Sequence, residues 1–182
     1  MSNRAEEPTV LSKYGGWPSI LRDLVGGVDL SVKAARASLS SILRGEATDA
    51  QVAGFIIAIG MKGGSVPELT GMVEAMMEAA APLDLPDGAI DIVGSGGAPA
   101  RSKNALNVST MSCFVAAAAG ADVCKHGSVA ASSSSGSFDL LGALGINIEA
   151  TGDEVARCMD ETGIGFAFAK AFHPAMRHVG PV

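Results

Sequence analysis

The sequence carries little charge, and most of that charge is negative. Charged residues make up 18% of the 182 residues, and the formal net charge is −6. A protein whose main partner is nucleic acid needs a basic surface, so this balance argues against that class. With 48% apolar residues and so few charges, the composition favours extra buried surface, for example at a subunit contact.

Cysteines are few, and long apolar segments are absent. Cys113, Cys124 and Cys158 are odd in number and form no Cys-x-x-Cys pair, which argues against a disulfide framework or a zinc knuckle. Free thiols are typical of a reducing cytosol. No apolar run approaches the ~20 residues of a membrane span, and residues 1–9 lack the apolar core of a signal peptide. These absences predict a cytoplasmic protein without a membrane partner.

The first half of the chain predicts a small helical subdomain over residues 17–85, preceded by a loose tail over residues 1–16. Ser31, Thr48 and Ser65 each stand before a segment of helical apolar periodicity, as N-cap residues do. Methionines cluster on the fourth predicted helix (Met72, Met76 and Met77), a pattern more typical of core or subunit packing than of a promiscuous binding surface. We expect a homodimer formed through this subdomain.

The second half predicts an incomplete α/β domain over residues 88–182. Short apolar runs at 90–93, 121–124 and 163–169 predict three parallel strands, with helices between them. Parallel sheets are normally covered on both faces and at their edges, and nothing after the third run covers this one. The predicted fold class is therefore α/β: a helical subdomain followed by a partial parallel sheet that continues in a longer chain.

Residues suited to an anion follow the first predicted strand. Gly94, Gly96 and Gly97 let backbone amides approach a ligand, because no Cβ blocks the turn. The turn is neither a Rossmann fingerprint, since Pro99 replaces the third glycine, nor a P-loop. A tight turn without a ligand is the alternative interpretation.

A second group of polar residues opens the next predicted helix. Asn107, Ser109 and Thr110 place an amide and two hydroxyls at its first turn, where the helix dipole favours negative charge. An ordinary N-cap by Asn107 or Ser109 explains the same residues. Ser109 also offers one oxygen to Mg²⁺, an ion that usually keeps several waters and binds through substrate phosphates.

A third group follows the second predicted strand. Lys125 supplies a point charge for a phosphate, and His126 either faces a substrate or bonds within the loop. The serines beyond it form either a flexible linker or a phosphate-binding loop, and a helix restarts at Ser137. Three anion-favouring groups on one sheet edge predict a multiply charged ligand, such as a phosphorylated or pyrophosphorylated sugar.

Taken together, these motifs resemble the anthranilate phosphoribosyltransferases, which belong to the nucleoside phosphorylase and phosphoribosyltransferase fold family. That family has Gly-Thr-Gly-Gly-Asp, then Asn-x-Ser-Thr, then Lys-His-Gly-Asn-Arg-x-x-Ser-Ser-x-Ser-Gly-Ser. The corresponding segments here are residues 94–98, 107–110 and 125–137. Ala98 replaces the usual loop aspartate, Ser128 replaces an asparagine, and Val129 and Ser134 stand where basic residues are common in the family.

The resemblance implies transfer of phosphoribose from phosphoribosyl pyrophosphate to anthranilate in tryptophan biosynthesis, with Mg²⁺. It implies that the donor is held by the glycine turn, the first helical turn, Lys125 and the serine loop. The residues this assigns to substrate binding are Gly94, Gly96, Gly97, Asn107, Ser109, Thr110, Lys125, His126, Gly127, Ser128, Ser132, Ser133 and Ser137, with Ser109 also at the metal. Gly94, His126 and Ser128 fall on the anthranilate side.

No general base is required by this chemistry, because an aryl amine is neutral at pH 7. Catalysis would come from positioning and from stabilising the leaving pyrophosphate. Two other functions stay open. One is a pyrimidine nucleoside phosphorylase of the same fold, and the other is a divergent relative that binds a phosphorylated ligand without turnover.

Overall fold

The computed structural model describes residues 10–94, 106–130 and 136–180. Two compact units are formed: residues up to 80 together with those from 174 onward, and residues 81–173. Within the described residues, no helix has both the length and the apolarity needed to cross a membrane.

The first unit consists of helices, as the sequence predicts. Its elements are a 3-10 helix at Val10–Tyr14, then α1 (Gly16–Val25), α2 (Val32–Leu43), α3 (Asp49–Lys62), α4 (Val66–Ala79), and a 3-10 helix at Pro174–His178. The N-caps lie where the sequence places them. Ser31 Oγ accepts a hydrogen bond from Ala34 N–H, and Thr48 and Gln51 exchange the two bonds of a capping box.

The core of this unit lies between closely packed helices. Trp17 and Phe55 meet edge to face with ring centroids 5.9 Å apart, joining α1 to α3. Helices α2 and α4 approach each other at backbone distance, because a Cβ on Gly71 would lie 2.1 Å from the carbonyl oxygen of Val32. Met72 packs partly buried against this core, whereas Met77 is exposed.

The ends of the helical unit differ from the sequence prediction. Residues 10–16 are not a loose tail, because Leu11 is buried in the helical core and the segment forms a 3-10 helix. The sequence assigns residues 174–180 to the α/β domain, but Val179 packs against the helical core instead. His178 lies against Gly45, where a Cβ would come within 2.7 Å of its ring.

The second unit alternates helices with parallel strands. Its elements are α5 (Val108–Ala118), β1 (Val123–Gly127), α6 (Ser137–Ala143), α7 (Gly152–Thr162), β2 (Ile164–Phe168) and α8 (Ala169–Phe172). Strands β1 and β2 pair in parallel, with Val123 opposite Ile164 and Gly127 opposite Phe168. Helix α5 packs on the sheet, where the rings of Phe114 and Phe166 lie 5.6 Å apart.

The first predicted strand, at residues 90–93, is reduced to a single bridge. Ile90 pairs with β1 by donating to Asp122 O and accepting from Cys124 N–H. The next amide on this edge of β1, that of His126, donates to the Asp91 carboxylate at 3.2 Å instead of to a backbone carbonyl. The prediction of three full strands is therefore wrong within the described residues, because a side chain replaces the next rung of the ladder.

Glu68 joins α3, α4 and the segment that precedes α2 in the first unit. This fully buried carboxylate on α4 accepts from the N–H of Leu30, the N–H and hydroxyl of Ser65, and the ammonium group of Lys62. Burial alone raises the pKa of Glu68, but the hydrogen bonds from Leu30, Ser65 and Lys62 outweigh it and bring the pKa to about 2.

Acid is expected to weaken the helical unit through Glu68. Because its folded pKa is depressed, the stabilisation is complete above the unfolded value near 4.5 and is lost as pH falls toward 2. The shift corresponds to about 3 kcal/mol in the free energy of unfolding. Glu68→Gln should lower this free energy at pH 7 and flatten its fall between pH 5 and pH 2. Urea unfolding followed by the fluorescence of Trp17, the sole tryptophan, measures both effects.

The matched control is Glu74→Gln on the same helix. Glu74 is 46% exposed and lies 3.7 Å from Arg36, so its loss should change the free energy of unfolding by only about 0.5 kcal/mol. Equal acid profiles for Glu68→Gln and the parent chain would contradict the role assigned to Glu68.

Candidate functional site

Lys125 differs most from its predicted position. The sequence places it in a loop after the strand, but Lys125, His126 and Gly127 are the last three residues of β1. Lys125 is 1% exposed, and its ammonium group donates to the carbonyl oxygen of Ile92 at 2.8 Å. The strand is longer than predicted because both of its edges are paired at Cys124, with β2 on one side and Ile90 on the other. The positive charge therefore lies beneath residues 90–94 instead of projecting from a loop.

The start of α5 is joined to the same segment by a buried thiol. Cys113 Sγ lies 3.1 Å from the carbonyl oxygen of Ser109 and 3.8 Å from that of Ile92. The carbonyl oxygen of Ile92 thus contacts both the ammonium group of Lys125, from β1, and the thiol of Cys113, from α5. Burial raises the pKa of the Cys113 thiol. The other buried thiol, Cys124, has its pKa raised to about 11 by burial and by the nearby Asp91, whereas Cys158 is exposed.

The first turn of α5 carries the predicted polar residues, but Asn107 does not cap it. Asn107 occupies the N-cap position without a side-chain cap bond, and its Nδ2 donates to the carbonyl oxygen of Gly136 at 3.5 Å. Ser109 is half-buried and Thr110 is fully buried. Within the described part of the chain, the Thr110 hydroxyl has no hydrogen-bond partner. A buried hydroxyl left unpaired is costly, and it marks a position that a ligand can satisfy.

His126 lies beside a second histidine that the sequence analysis does not assign to the site. The rings of His126 and His173 meet edge to face with centroids 5.4 Å apart. His126 Nε2 is buried and has no hydrogen-bond partner among the described residues. Burial, and then repulsion from His126, lower the pKa of His173. His173 follows α8 directly, and its only signal in the sequence is the His-Pro-Ala-Met-Arg-His segment that it opens.

The end of β1 packs against the start of α6. A Cβ on Gly127 would lie 2.5 Å from Ser137 Oγ and 3.0 Å from the ring of Phe138. Ser128 is exposed, and its carbonyl oxygen accepts from the Ser137 hydroxyl at 3.4 Å and from Phe138 N–H at 3.3 Å. The structure thus brings Gly127, Ser128 and Ser137 together, and Asn107 joins them through Gly136.

Other predicted site residues are not placed with this group. Gly94 is exposed, and no atom of the described residues lies within 4 Å of the position that a Cβ would take there. Four predicted site residues fall outside the described residues: Gly96, Gly97, Ser132 and Ser133.

Gly136 is expected to tolerate no side chain. Its φ of −88° suits any residue, but a Cβ would lie 2.5 Å from Ala130 N and 2.7 Å from Ser128 O. Because these contacts are backbone atoms, Gly136→Ala should destabilise the second unit by about 1–3 kcal/mol. Circular dichroism and hydrogen exchange of the β1 amides measure the loss.

Gly142→Ala is the control, since the nearest atom to its Cβ would be 4.0 Å away and the residue lies inside α6. That change should be neutral or stabilising by up to about 1 kcal/mol. Similar losses in the two variants would show that close packing at Gly136 does not matter.

Comparison with known proteins agrees with this architecture. Residues 18–80 match the helical bundle domain of the glycosyl transferase family, and residues 86–182 match its a/b domain. The chain is 46% identical over 162 residues to an anthranilate phosphoribosyltransferase of Arthrobacter sp., covering 89% of this chain and 45% of that protein. A Nocardioides anthranilate phosphoribosyltransferase is 49% identical over 162 residues, covering 89% and 47%. The chain spans about half the length of the relatives it matches.

Solved structures give the same result. The anthranilate phosphoribosyltransferase of Thermus thermophilus superposes with a TM-score of 0.80 at 41% identity, covering 89% of this chain and 49% of that one. The enzyme of Saccharomyces cerevisiae in complex with phosphoribosyl pyrophosphate and Mg gives a TM-score of 0.70 at 28% identity, covering 97% and 50%. From the two domain matches and these relatives, the chain belongs to the glycosyl transferase family that combines a helical bundle with an a/b domain.

Proposed function

We propose that this chain provides the part of an anthranilate phosphoribosyltransferase that binds phosphoribosyl pyrophosphate. The observation that carries the proposal is the convergence of α5, β1 and α6, whose predicted site residues are linked through Ile92 and Gly136. The yeast relative binds this donor with Mg, which supports the same ligand here. Parallel α/β sheets bind ligands at the carboxyl ends of their strands, and β1 ends at Gly127.

In this proposal, the residues of the chain hold the donor and stabilise its leaving group. The hydroxyls of Ser109 and Thr110 lie in the first turn of α5, where the helix dipole favours the pyrophosphate. The buried Lys125 ammonium group adds positive charge beneath residues 90–94. These groups do not need to transfer a proton. They favour departure of pyrophosphate as the bond from C1 of the ribose to the pyrophosphate oxygen breaks and the bond from C1 to the amine nitrogen forms; the nitrogen then loses its extra proton to the released pyrophosphate or to water.

A magnesium ion fits this site only with help from the donor. Ser109 offers one neutral oxygen, and the described residues contain no group of three His, Cys, Asp or Glu side chains that could hold a metal. Mg²⁺ commonly binds through one or two protein oxygens, substrate phosphates and waters. When bound, it would neutralise charge on the pyrophosphate, with Ser109 as the ligand from this chain.

The acceptor side is assigned to the His126–His173 pair. The buried Nε2 of His126 has no hydrogen-bond partner among the described residues, so an anthranilate that reaches it would satisfy it, and the lowered pKa of His173 keeps that ring neutral near pH 7. A neutral, partly buried imidazole next to a second ring offers an aromatic acceptor a contact surface without a competing positive charge. Gly94 and Ser128 remain predicted members of this side.

Donor binding should raise the melting temperature of the chain. Phosphoribosyl pyrophosphate with Mg²⁺ at about 100 times its Kd stabilises the folded state by about 2.7 kcal/mol. Thr110→Val should weaken donor affinity yet raise the melting temperature of the free chain, because it removes a buried, unpaired hydroxyl worth about 1 kcal/mol. Calorimetric titration and thermal unfolding measure the two effects.

Thr70→Val serves as the control, since Thr70 is exposed on α4 and its hydroxyl donates to Val66 O within the same helix. Donor affinity should not change in that variant. If millimolar donor leaves the melting temperature of the parent chain unchanged, the donor site proposed here is wrong.

We also propose that two copies of the chain associate through α1 and α3. Val25, Ile57 and Met61 are 80%, 59% and 85% exposed, and they line an apolar groove of about 430 Å³. Lys62 is the one charged residue among the described residues that line this groove, and it already bonds Asp29 and Glu68. Apolar side chains this exposed are typical of an interface.

Met61→Glu should therefore shift the chain from dimer to monomer in sedimentation or light-scattering measurements. Val73→Glu is the matched control, because Val73 is 60% exposed on α4, away from that groove. A charge placed in the middle of an apolar interface typically costs several kcal/mol, or more than a hundredfold in dimer affinity. A parent chain that is monomeric at all concentrations would contradict the dimer, and dissociation by Val73→Glu alone would move the interface to α4.

A further inference from the structure

One carboxylate oxygen joins two separate stretches of chain beside the proposed donor site. Asp139 Oδ2 accepts hydrogen bonds from Gly136 N–H at 2.7 Å and from Ala130 N–H at 2.8 Å. The bond to Gly136 is the ordinary capping contact of the third residue of a helix. The bond to Ala130 is different, because it reaches nine residues back along the chain and contributes nothing to capping α6.

The two amides lie on either side of residues 131–135, so Asp139 fixes the separation of both ends of that segment. The same stretches are held by two further bonds, both accepted by the carbonyl oxygen of Ser128: one from the Ser137 hydroxyl and one from Phe138 N–H. Gly136 makes the close approach possible, since a Cβ there would meet the backbone of Val129 and Ala130 at 2.5 Å. We call this arrangement of Ser128–Ala130 against Gly136–Asp139 the clasp.

The clasp is linked to the start of α5. Gly136 O accepts from Asn107 Nδ2 at 3.5 Å, so the residue that Asp139 holds also contacts the helix whose first turn carries Ser109 and Thr110. A displacement of Gly136 would therefore separate two groups of predicted donor residues.

We propose that Asp139 is a positioning residue for the donor site. This role rests on the donor binding proposed above. Asp139 acts through Ala130 and Gly136 and does not itself touch the ligand. Its negative charge would repel a pyrophosphate at close range. Asp139 therefore contributes to donor affinity by ordering the backbone at Ala130 and Gly136. When the clasp is open, binding must order both stretches at once, and that lost entropy lowers affinity.

The sharpest test compares Asp139 with Glu154, which caps another helix in the same way. Glu154 is the third residue of α7, and one of its oxygens accepts from both the N–H and the hydroxyl of Thr151. It has no bond to a distant stretch comparable to that of Asp139 among the described residues. Asp139→Ala and Glu154→Ala therefore remove equivalent caps, but only Asp139→Ala opens the clasp.

Calorimetric titration of phosphoribosyl pyrophosphate with Mg²⁺ gives the affinity of each variant. We expect Asp139→Ala to weaken the Kd by roughly tenfold and Glu154→Ala to leave it within about twofold, with similar losses of melting temperature. Asp139→Asn should recover most of the affinity, because the amide oxygen can accept both hydrogen bonds without the charge. If Asp139→Ala fails to fold, Asp139→Asn alone should still bind the donor within about threefold of the parent chain.

Hydrogen exchange at Ala130 and Gly136 separates failure of this inference from failure of the proposed function. Asp139→Ala should speed exchange at both amides, and Glu154→Ala should not. Unchanged exchange, or equal Kd values for the two alanine variants, would overturn the positioning role. Absence of donor binding by the parent chain would instead contradict the donor site, and the exchange rates would then decide the clasp alone.

Discussion

The hydrogen bond from the Lys125 ammonium group to the Ile92 carbonyl oxygen supports much of the α/β unit. Lys125 is buried, and a buried polar group without a hydrogen-bond partner is costly, so the bond from its ammonium group favours the observed backbone position of Ile92. Lys125 is itself fixed by its pairing opposite Phe166 in the parallel sheet. Because Ile92 lies two residues before Gly94, the sheet positions the backbone that leads to Gly94. Through Cys113, the same carbonyl oxygen also anchors the first turn of α5.

Much of the fold can be predicted from short sequence patterns, because the hydrogen bonds at the start of a helix join residues that are close in sequence. Thr48 and Gln51 are three residues apart, so neither of their two hydrogen bonds requires a partner from a distant part of the chain. Thr151 and Glu154 start α7 in the same way. The prediction of a parallel strand over residues 163–169 is also confirmed, because β2 covers Ile164–Phe168, a short apolar run that follows Gly163.

The features that the sequence does not reveal all depend on partners distant in the chain. Periodicity at residues 90–93 indicates a strand, but it cannot show that the carboxylate of Asp91 takes the next amide of β1. For the same reason the sequence predicts Lys125 as an accessible charge, although a carbonyl 33 residues away buries it. His173 and Asp139 escape prediction because their contacts with His126 and Ala130 exist only after folding. For Asp139, the signal in the sequence is an acidic residue at the third position of α6.

The placement of the three cysteines has a practical consequence. At pH 7, a thiol with a pKa of about 11, as in Cys124, is ionised in only about one molecule in ten thousand. Cys113 is likewise buried, and its thiol contacts the carbonyl oxygen of Ser109. Cys158 alone is exposed, on α7 of the α/β unit. An alkylating fluorophore added to the folded chain will therefore mark a single known position, giving a spectroscopic reporter without any engineered substitution.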